Sequence, residues 1–525
     1  MKNVKKWLAF VGLLVFVVSG SAVKAQTKVF KEVAEGISSQ FEVIVQDDKL
    51  VGYLGFTQLE QASADSFNYH ISIMDENLND IGSVNFREEK LTLREVSFES
   101  DVLCLAYLKS NFQETPYHKK EFKQIVANAK SALFTQFISL DGKITATNSL
   151  PMTLAPHAPD LQSGLVTARM KREMQLRNIP GAGFACLIGD DQKNTIVTFN
   201  TAGKQVWKKD ITDDADDFGL QTSKSDVNLL EKKNKYDDEE SGYTLVSFNA
   251  LTGTPYPKFI PTDRKGNHLK ILGFGNDPVS GDVVLSGMII DPKKCIHRGT
   301  GNGLHHGIYC GVFSIDIQGH TKKAIQADFA YWSDESNPVF SKRGYIKEAS
   351  TYDDVQRSFR DYQGNTWFAG TGIHPRFRTG GMIFGAAFFW FLLIPTACEL
   401  GMGFYRYRAK DVELLKLDPK GNLSYESSVP TQPGLIMSLR TVPFGLYETS
   451  SYYSLTNPET KTDYLVVSDP KNVAIYNVQQ KKIARTIPTK EHKNTFKVFP
   501  AKEGYFMVSE YNKKEKTTRL SIEAL

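Results

Sequence analysis

No G-x-S-x-G elbow, no H-E-x-x-H and no Walker loop occurs in the chain. The usual signatures of nucleophilic hydrolysis, zinc peptidases and phosphate loops are therefore absent, and the sequence names no reaction. Cysteine is scarce: Cys104, Cys186, Cys295, Cys310 and Cys398 are all there is, and an odd number cannot pair completely within one chain. None stands where a processed N-terminus would begin, which argues against a lipoprotein anchor. An excess of charge is missing too. Lys2, Lys5, Lys6 and Lys24 lie in the first 25 residues without an acid among them, so removing that segment takes 63 basic residues to 63 − 4 = 59, against 59 acidic ones. A formally neutral chain lacks the basic footprint that nucleic acid requires of a partner protein.

The N-terminus itself reads as an export signal. Three lysines precede the uncharged run Trp7 to Val18, and Val23-Lys24-Ala25 offers small residues to a signal peptidase. A retained anchor is the alternative, but the apolar core is short for a span of about twenty residues. Cleavage after Ala25 would leave residues 26–525 in the periplasm or at the outer cell surface. At 41% hydrophobic and 23% charged, with 39 Gly and 21 Pro, the remainder has a globular composition punctuated by turns.

What is present is a repeated hairpin. In LLKLDPKGNLSY, residues 414–425, an apolar strand meets Asp418, Pro419 and Gly421 and then resumes as a more polar strand. The same grammar recurs around Asp75, Asp141, Asn200, Asn249, Asp316 and Asn477. Upstream of several copies lies a strand that is apolar on nearly every residue, such as DVVLSGMII, NTWFAGTG or YLVVSD, and such runs suit strands covered on both faces. A further amphipathic segment often precedes these, so the unit has about four antiparallel strands. Repetition of that unit predicts an all-β chain folded as a β-propeller, of seven blades or alternatively eight. Two stacked β-sandwiches are the structural alternative. Cys104 in VLCLAYL and Cys186 in FACLIG read as core residues.

The turn Gly-Lys-x-Val-Trp in IVTFNTAGKQVWKKD resembles the repeats of quinoprotein-like propellers. That resemblance implies a blade and no cofactor. The chain as a whole resembles the secreted, uncharacterised propeller-type proteins of Gram-negative bacteria, a likeness that brings no functional residues with it.

Three regions interrupt the repeat. Residues 208–241 hold Asp213, Asp214, Asp216 and Asp217 and then Asp237 to Glu240, but lack the alternation and glycine of a calcium loop, so a solvated charged loop is the expectation. Residues 291–309 bring Cys295, His297, His305 and His306 close to Cys310. The spacing fits no common zinc pattern, which leaves His297, His305 and His306 as weak metal candidates and a Cys295–Cys310 disulfide as the expectation in an exported, glycine-rich loop. Residues 374–408 contain the uncharged segment TGGMIFGAAFFWFLLIPTAC, residues 379–398. Its length and hydrophobicity meet the criterion for a membrane span. A single span would nevertheless separate two strands expected to pair, so a loop that returns to its blade is favoured, buried against the protein or exposed to a membrane or apolar partner.

Both the second and the third region follow an apolar strand and precede a hairpin, the same connection in neighbouring blades. They should lie side by side on one face, with His374, Phe388, Phe389, Trp390 and Phe391 as binding-face candidates. The expected role is a binding or scaffold protein for a protein, glycan or membrane partner, without cofactor. A propeller enzyme with carboxylates or a metal, or a membrane-associated assembly component, are the alternatives.

Overall fold

A computed structural model describes residues 26–524, apart from 32–37, 47–48, 64–65, 111–115, 119–129, 153–164, 168–173, 190–192, 212–214, 216, 234–241, 292–308, 335–338, 343, 378–404, 432–450, 458–461, 469–470 and 503. Nearly all of the regular structure is antiparallel strand, gathered into successive sheets along the chain. Blade 1 runs Ser38–Gln46, Lys49–Ser63, Ser66–Asp75 and Asp80–Glu88; blade 2, Leu91–Glu99, Val102–Ser110, Ser131–Ser139 and Ile144–Met152; blade 3, Met174–Ile179, Gly183–Gly189, Asn194–Asn200 and Gln205–Ile211. Blade 4 has Asp217–Thr222, Asp226–Lys233 and Gly242–Asn249, and isolated bridges Leu245 to Phe259 and Phe248 to Pro255 give it an irregular outer edge. Blade 5 runs Leu269–Asn276, Val283–Ile290, Tyr309–Ile317 and Ile325–Tyr331; blade 6, Thr351–Arg360, Thr366–Phe377, Tyr405–Leu417 and Leu423–Val429; blade 7, Ser451–Asn457, Thr462–Ser468, Asn472–Asn477 and Lys482–Pro488. Blade 8 takes Asn494–Pro500, Tyr505–Asn512 and Thr517–Ala524 from the end of the chain and Gln26–Lys31 from its beginning.

The apolar cores show that these sheets form a ring. Each core sits between consecutive blades: Tyr69 packs with Tyr107 between blades 1 and 2, Phe137 with Phe184 between 2 and 3, Leu187 with Leu220 between 3 and 4, and Leu245 with Phe313 between 4 and 5. The series continues with Val312 and Phe368, then Leu414 and Leu465, then Val466 and Phe506. It closes when Met507 and Leu520 of blade 8 meet Tyr53 and Met74 of blade 1. First strands of blades 1 to 6 adjoin one another in turn, which places them innermost. A middle strand is thus covered on both faces, and Val283–Ile290 is buried at every residue, whereas the outer strand Ile144–Met152 alternates. Cys104 and Cys186 are fully buried between blades 2 and 3, as their apolar surroundings predict.

The molecule is therefore an eight-bladed propeller and not the seven-bladed one that ranked first on the hairpin count, nor a pair of sandwiches. The discrepancy has a simple cause. All seven hairpins join the third strand of a blade to its fourth, in blades 1 to 7. Blade 8 has no such hairpin, because its fourth strand comes from the other end of the chain, with Gln26 opposite Ile522 and Lys31 opposite Thr517. Counting hairpins misses the blade that closes the ring.

Several of these turns hold themselves together locally. At Asp418 the main-chain N–H groups of Lys420 and Asn422 donate to Oδ1 at 2.9 and 2.8 Å, and the Asn422 amide donates to Oδ2 at 2.8 Å. Gly421 takes a φ of 80°, where a side chain would be strained. The same arrangement recurs at Asp263 and Asp361, and at Asp75 it forces Leu78 to a φ of 63° in place of glycine.

A second correction concerns residues 208–241. The described part of this stretch ends the outer strand of blade 3 and supplies Asp217–Thr222 and Asp226–Lys233, the two inner strands of blade 4. Only the middle of Asp226–Lys233 is buried, so its charged ends disguise a core strand as a solvated loop.

Candidate functional site

Antiparallel order divides the connections between two faces. Links from first to second strand and from third to fourth emerge on one face and are short, the longest being 318–324. Links from second to third strand, and from one blade to the next, emerge on the other. That face carries 111–130, 153–173, 291–308, 332–350, 378–404 and 430–450, every one of them longer than anything opposite. Pro116–His118 pairs with Leu165–Thr167 there, joining two of these links. As the sequence pattern predicts, 291–308 and 378–404 both connect second to third strands, in blades 5 and 6.

The strands around 378–404 run on as a ladder beyond the rest of their blade. Ile373 lies opposite Ala409, His374 opposite Arg408, Pro375 opposite Tyr407, Arg376 opposite Arg406 and Phe377 opposite Tyr405. Antiparallel partners are about 5 Å apart, whereas the two ends of a membrane span are separated by about 30 Å. Phe377 and Tyr405, the described residues that flank 378–404, therefore lie side by side, while the apolar segment itself lies outside the described residues. Among the described residues no helix is long and apolar enough to cross a membrane, which says nothing of strands.

Of the residues singled out from sequence, His374 and Cys310 fall within the described part. His374 donates from Nδ1 to the Ser350 carbonyl at 2.8 Å, which fixes its tautomer and ties the ladder to the start of the first strand of blade 6. Cys310 lies at the start of the third strand of blade 5, half-buried against the core shared with blade 4, with Sγ 3.7 Å from the Ile289 carbonyl. Cys295, His297, His305, His306, Phe388, Phe389, Trp390 and Phe391 lie outside the described residues, so the disulfide and the aromatic cluster stay expectations. No group of three or more His, Cys, Asp or Glu side chains is placed to share a metal among the described residues.

Beneath the ladder sits a feature that sequence reasoning missed. Asp353, on the first strand of blade 6, and Glu413, on the third, reach over the central strand at Gly370 and Gly372. Register pairs Asp353 with Gly372 and Glu413 with Gly370. The carboxyl groups cross diagonally: a side chain at Gly370 would collide with Asp353 Oδ1, and a Cβ at Gly372 would lie 2.6 Å from Glu413 Oε1. Thr351 donates to Glu413 Oε1 at 3.2 Å and the Tyr425 hydroxyl donates to Oε2 at 2.9 Å. Some of Asp353 remains exposed, but both carboxyl oxygens are buried and neither has a hydrogen-bond partner. Burial, with Glu413 and Asp354 nearby, pushes its pKa well above the usual carboxylate range. In sequence the only trace is Gly-x-Gly in a buried strand together with an acid inside the apolar run DVELLKL. The pair can hold a proton or a cation; with its oxygens shielded, it is not placed to meet a substrate.

A family model described as "Family of unknown function (DUF6770)" matches residues 4–388. No curated protein matches the chain. Among solved structures the chain is similar to the Dos1 propeller at 8% identity, covering 95% of each chain with a TM-score of 0.43. It is also similar to the WD40 domain of SCAP from fission yeast at 8% identity, covering 95% of this chain and 98% of that one with a TM-score of 0.38. Apo AztD from Citrobacter koseri matches at 9% identity, over 90% and 96%, with a TM-score of 0.38. At such distances these likenesses carry no argument about ligands or chemistry, and the eight-bladed ring rests on the chain's own strand pairing.

Proposed function

The chain belongs to the DUF6770 family, and from that premise we propose that it is an exported binding or scaffold protein. It engages a protein, glycan or membrane partner, and not nucleic acid, through residues 291–309 and 374–408. The observation that carries this reading is that every long connection leaves the strands at one face of a rigid ring, with two of them making the same connection in the adjacent blades 5 and 6. Loops on such a scaffold are where recognition is usually built. The uncharged segment 379–398 would supply the contact, because at about 25 cal/mol per Å² its aromatic and aliphatic side chains yield several kcal/mol on leaving water. A Cys295–Cys310 disulfide would brace the neighbouring loop, and peptide mapping under non-reducing conditions should find the two joined. The competing reading, a propeller hydrolase, gains little from Asp353 and Glu413, which belong to one blade and keep their carboxyl oxygens from solvent.

The test replaces residues 380–397 with a short Gly/Ser connector. The shortened protein is expected to keep its β-type circular dichroism and melting temperature while losing membrane partitioning or partner capture. Loss of folding would show that the segment is core, and retained association would move the binding surface elsewhere.

A further inference from the structure

We propose that Asp353 and Glu413 in blade 6 form a divalent-cation site, with calcium the ion that suits it. The argument starts from Asp353, whose two carboxyl oxygens are buried without a hydrogen-bond partner. An ionised carboxylate left that way is costly, so a proton, a basic side chain or a metal ion must compensate it. A proton on Asp353 alone would leave a buried O–H without an acceptor, and one shared with Glu413 would draw the two groups into a short O–H···O contact of about 2.5–2.7 Å, yet neither Asp353 oxygen has a hydrogen-bond partner. No ion pair to Asp353 occurs among the described residues, and the charges that bear on it are the acids Glu413 and Asp354.

Space and donors favour the third option. Glycine at 370 and 372 leaves the central strand bare where the carboxyl groups cross. Glu413, which accepts from Thr351 and Tyr425, brings a second carboxylate to the same place. The main-chain carbonyls of Asp354 and Asp411 border the same glycines. An all-oxygen set without nitrogen or sulfur suits calcium, which takes about six to eight oxygens in flexible geometry, and does not suit zinc. A cation there would tie the first strand to the third at the point where the ladder leaves the blade, and it would do so whether or not the face docks a partner.

The experiment uses the purified protein, stripped with chelator and titrated with calcium, with magnesium for comparison. Calorimetry should give one calcium per chain, and saturating calcium should raise the melting temperature by about 3 °C. Asp353→Asn, isosteric and neutral, is expected to fold and to lose both effects. Terbium luminescence sensitised by Tyr425 gives a second readout, and Glu413→Gln a second variant if the first does not fold. No calcium response in the parent protein, or an equal response in Asp353→Asn, overturns the site. A melting temperature raised by Asp353→Asn in a parent that binds no calcium would also overturn it and identify a proton-holding pair.

Discussion

The two ends of the contact between blades 5 and 6 treat buried acid in opposite ways. At the short-turn end Arg360 meets three side chains of blade 5 at once: its guanidinium donates to Asp316 Oδ2 at 2.5 Å, to Asp277 Oδ2 at 3.3 Å and to Ser314 Oγ at 3.1 Å. At the long-loop end Asp353 and Glu413 face each other with no basic group of the described residues set against Asp353. Blade geometry is the same at both ends, so packing alone does not explain the contrast. Acid answered by arginine is a clamp between blades, while acid left unanswered in a fold this regular is a place kept for something else.

Substitution at the two ends should therefore have opposite signs. Arg360→Leu strands Asp277 and Asp316 without their partner and should cost about 3 kcal/mol, because removing one member of a buried pair leaves an uncompensated charge. Asp353→Asn, measured in chelator, removes repulsion and should stabilise by about 1 kcal/mol. Denaturant melts of both variants check the comparison directly. Destabilisation of similar size at both ends would mean that Asp353 is as structural as Arg360.

How much of this contrast could be read from sequence depends on range. The hairpins were legible because their bonds are local: Asp418 is satisfied by residues two and four positions on, and the same holds at Asp75. That 291–308 and 378–404 make the same connection in neighbouring blades followed from strand order alone. Blade number was not legible, because closure pairs Gln26–Lys31 with Thr517–Ala524 across the whole chain. Blade 4 was masked by charge at the ends of its strands, although Asn228 and Glu231 are buried within one of them. The carboxylate pair was hidden more deeply still. Placing Asp353 over Gly370 requires the register of three strands, with shifts between Val355 and Arg357 and between Thr371 and Ile373 that no periodicity announces.

Between the two extremes lies a tie at the outer edge of the ring, where the expected effect is smallest and depends on pH. Glu426, on the fourth strand of blade 6, accepts from Lys416 of its own blade at 2.8 Å and from Lys481 in the last turn of blade 7 at 2.7 Å. Burial would raise its pKa, but hydrogen bonds from Lys416, Lys481 and Ser424 outweigh that and hold it at about 2, against an ordinary 4.5. A carboxylate with a lowered folded-state pKa stabilises above its unfolded pKa and loses that contribution as pH falls through the folded value. The full shift corresponds to about 3 kcal/mol, but the Lys481 side chain is half exposed and solvent screens it, so about 1 kcal/mol is expected. Glu426→Gln should accordingly lower stability by about 1 kcal/mol at pH 7. The difference from the parent should shrink steadily below pH 4.5 and vanish only below pH 2, once the folded parent's carboxylate is itself protonated. Paired melts across that range at low and high salt would measure it. A gap that persists well below pH 2 would assign the loss to packing of the side chain and not to its charge, leaving Arg360 as the clamp between blades that acts through ionisation.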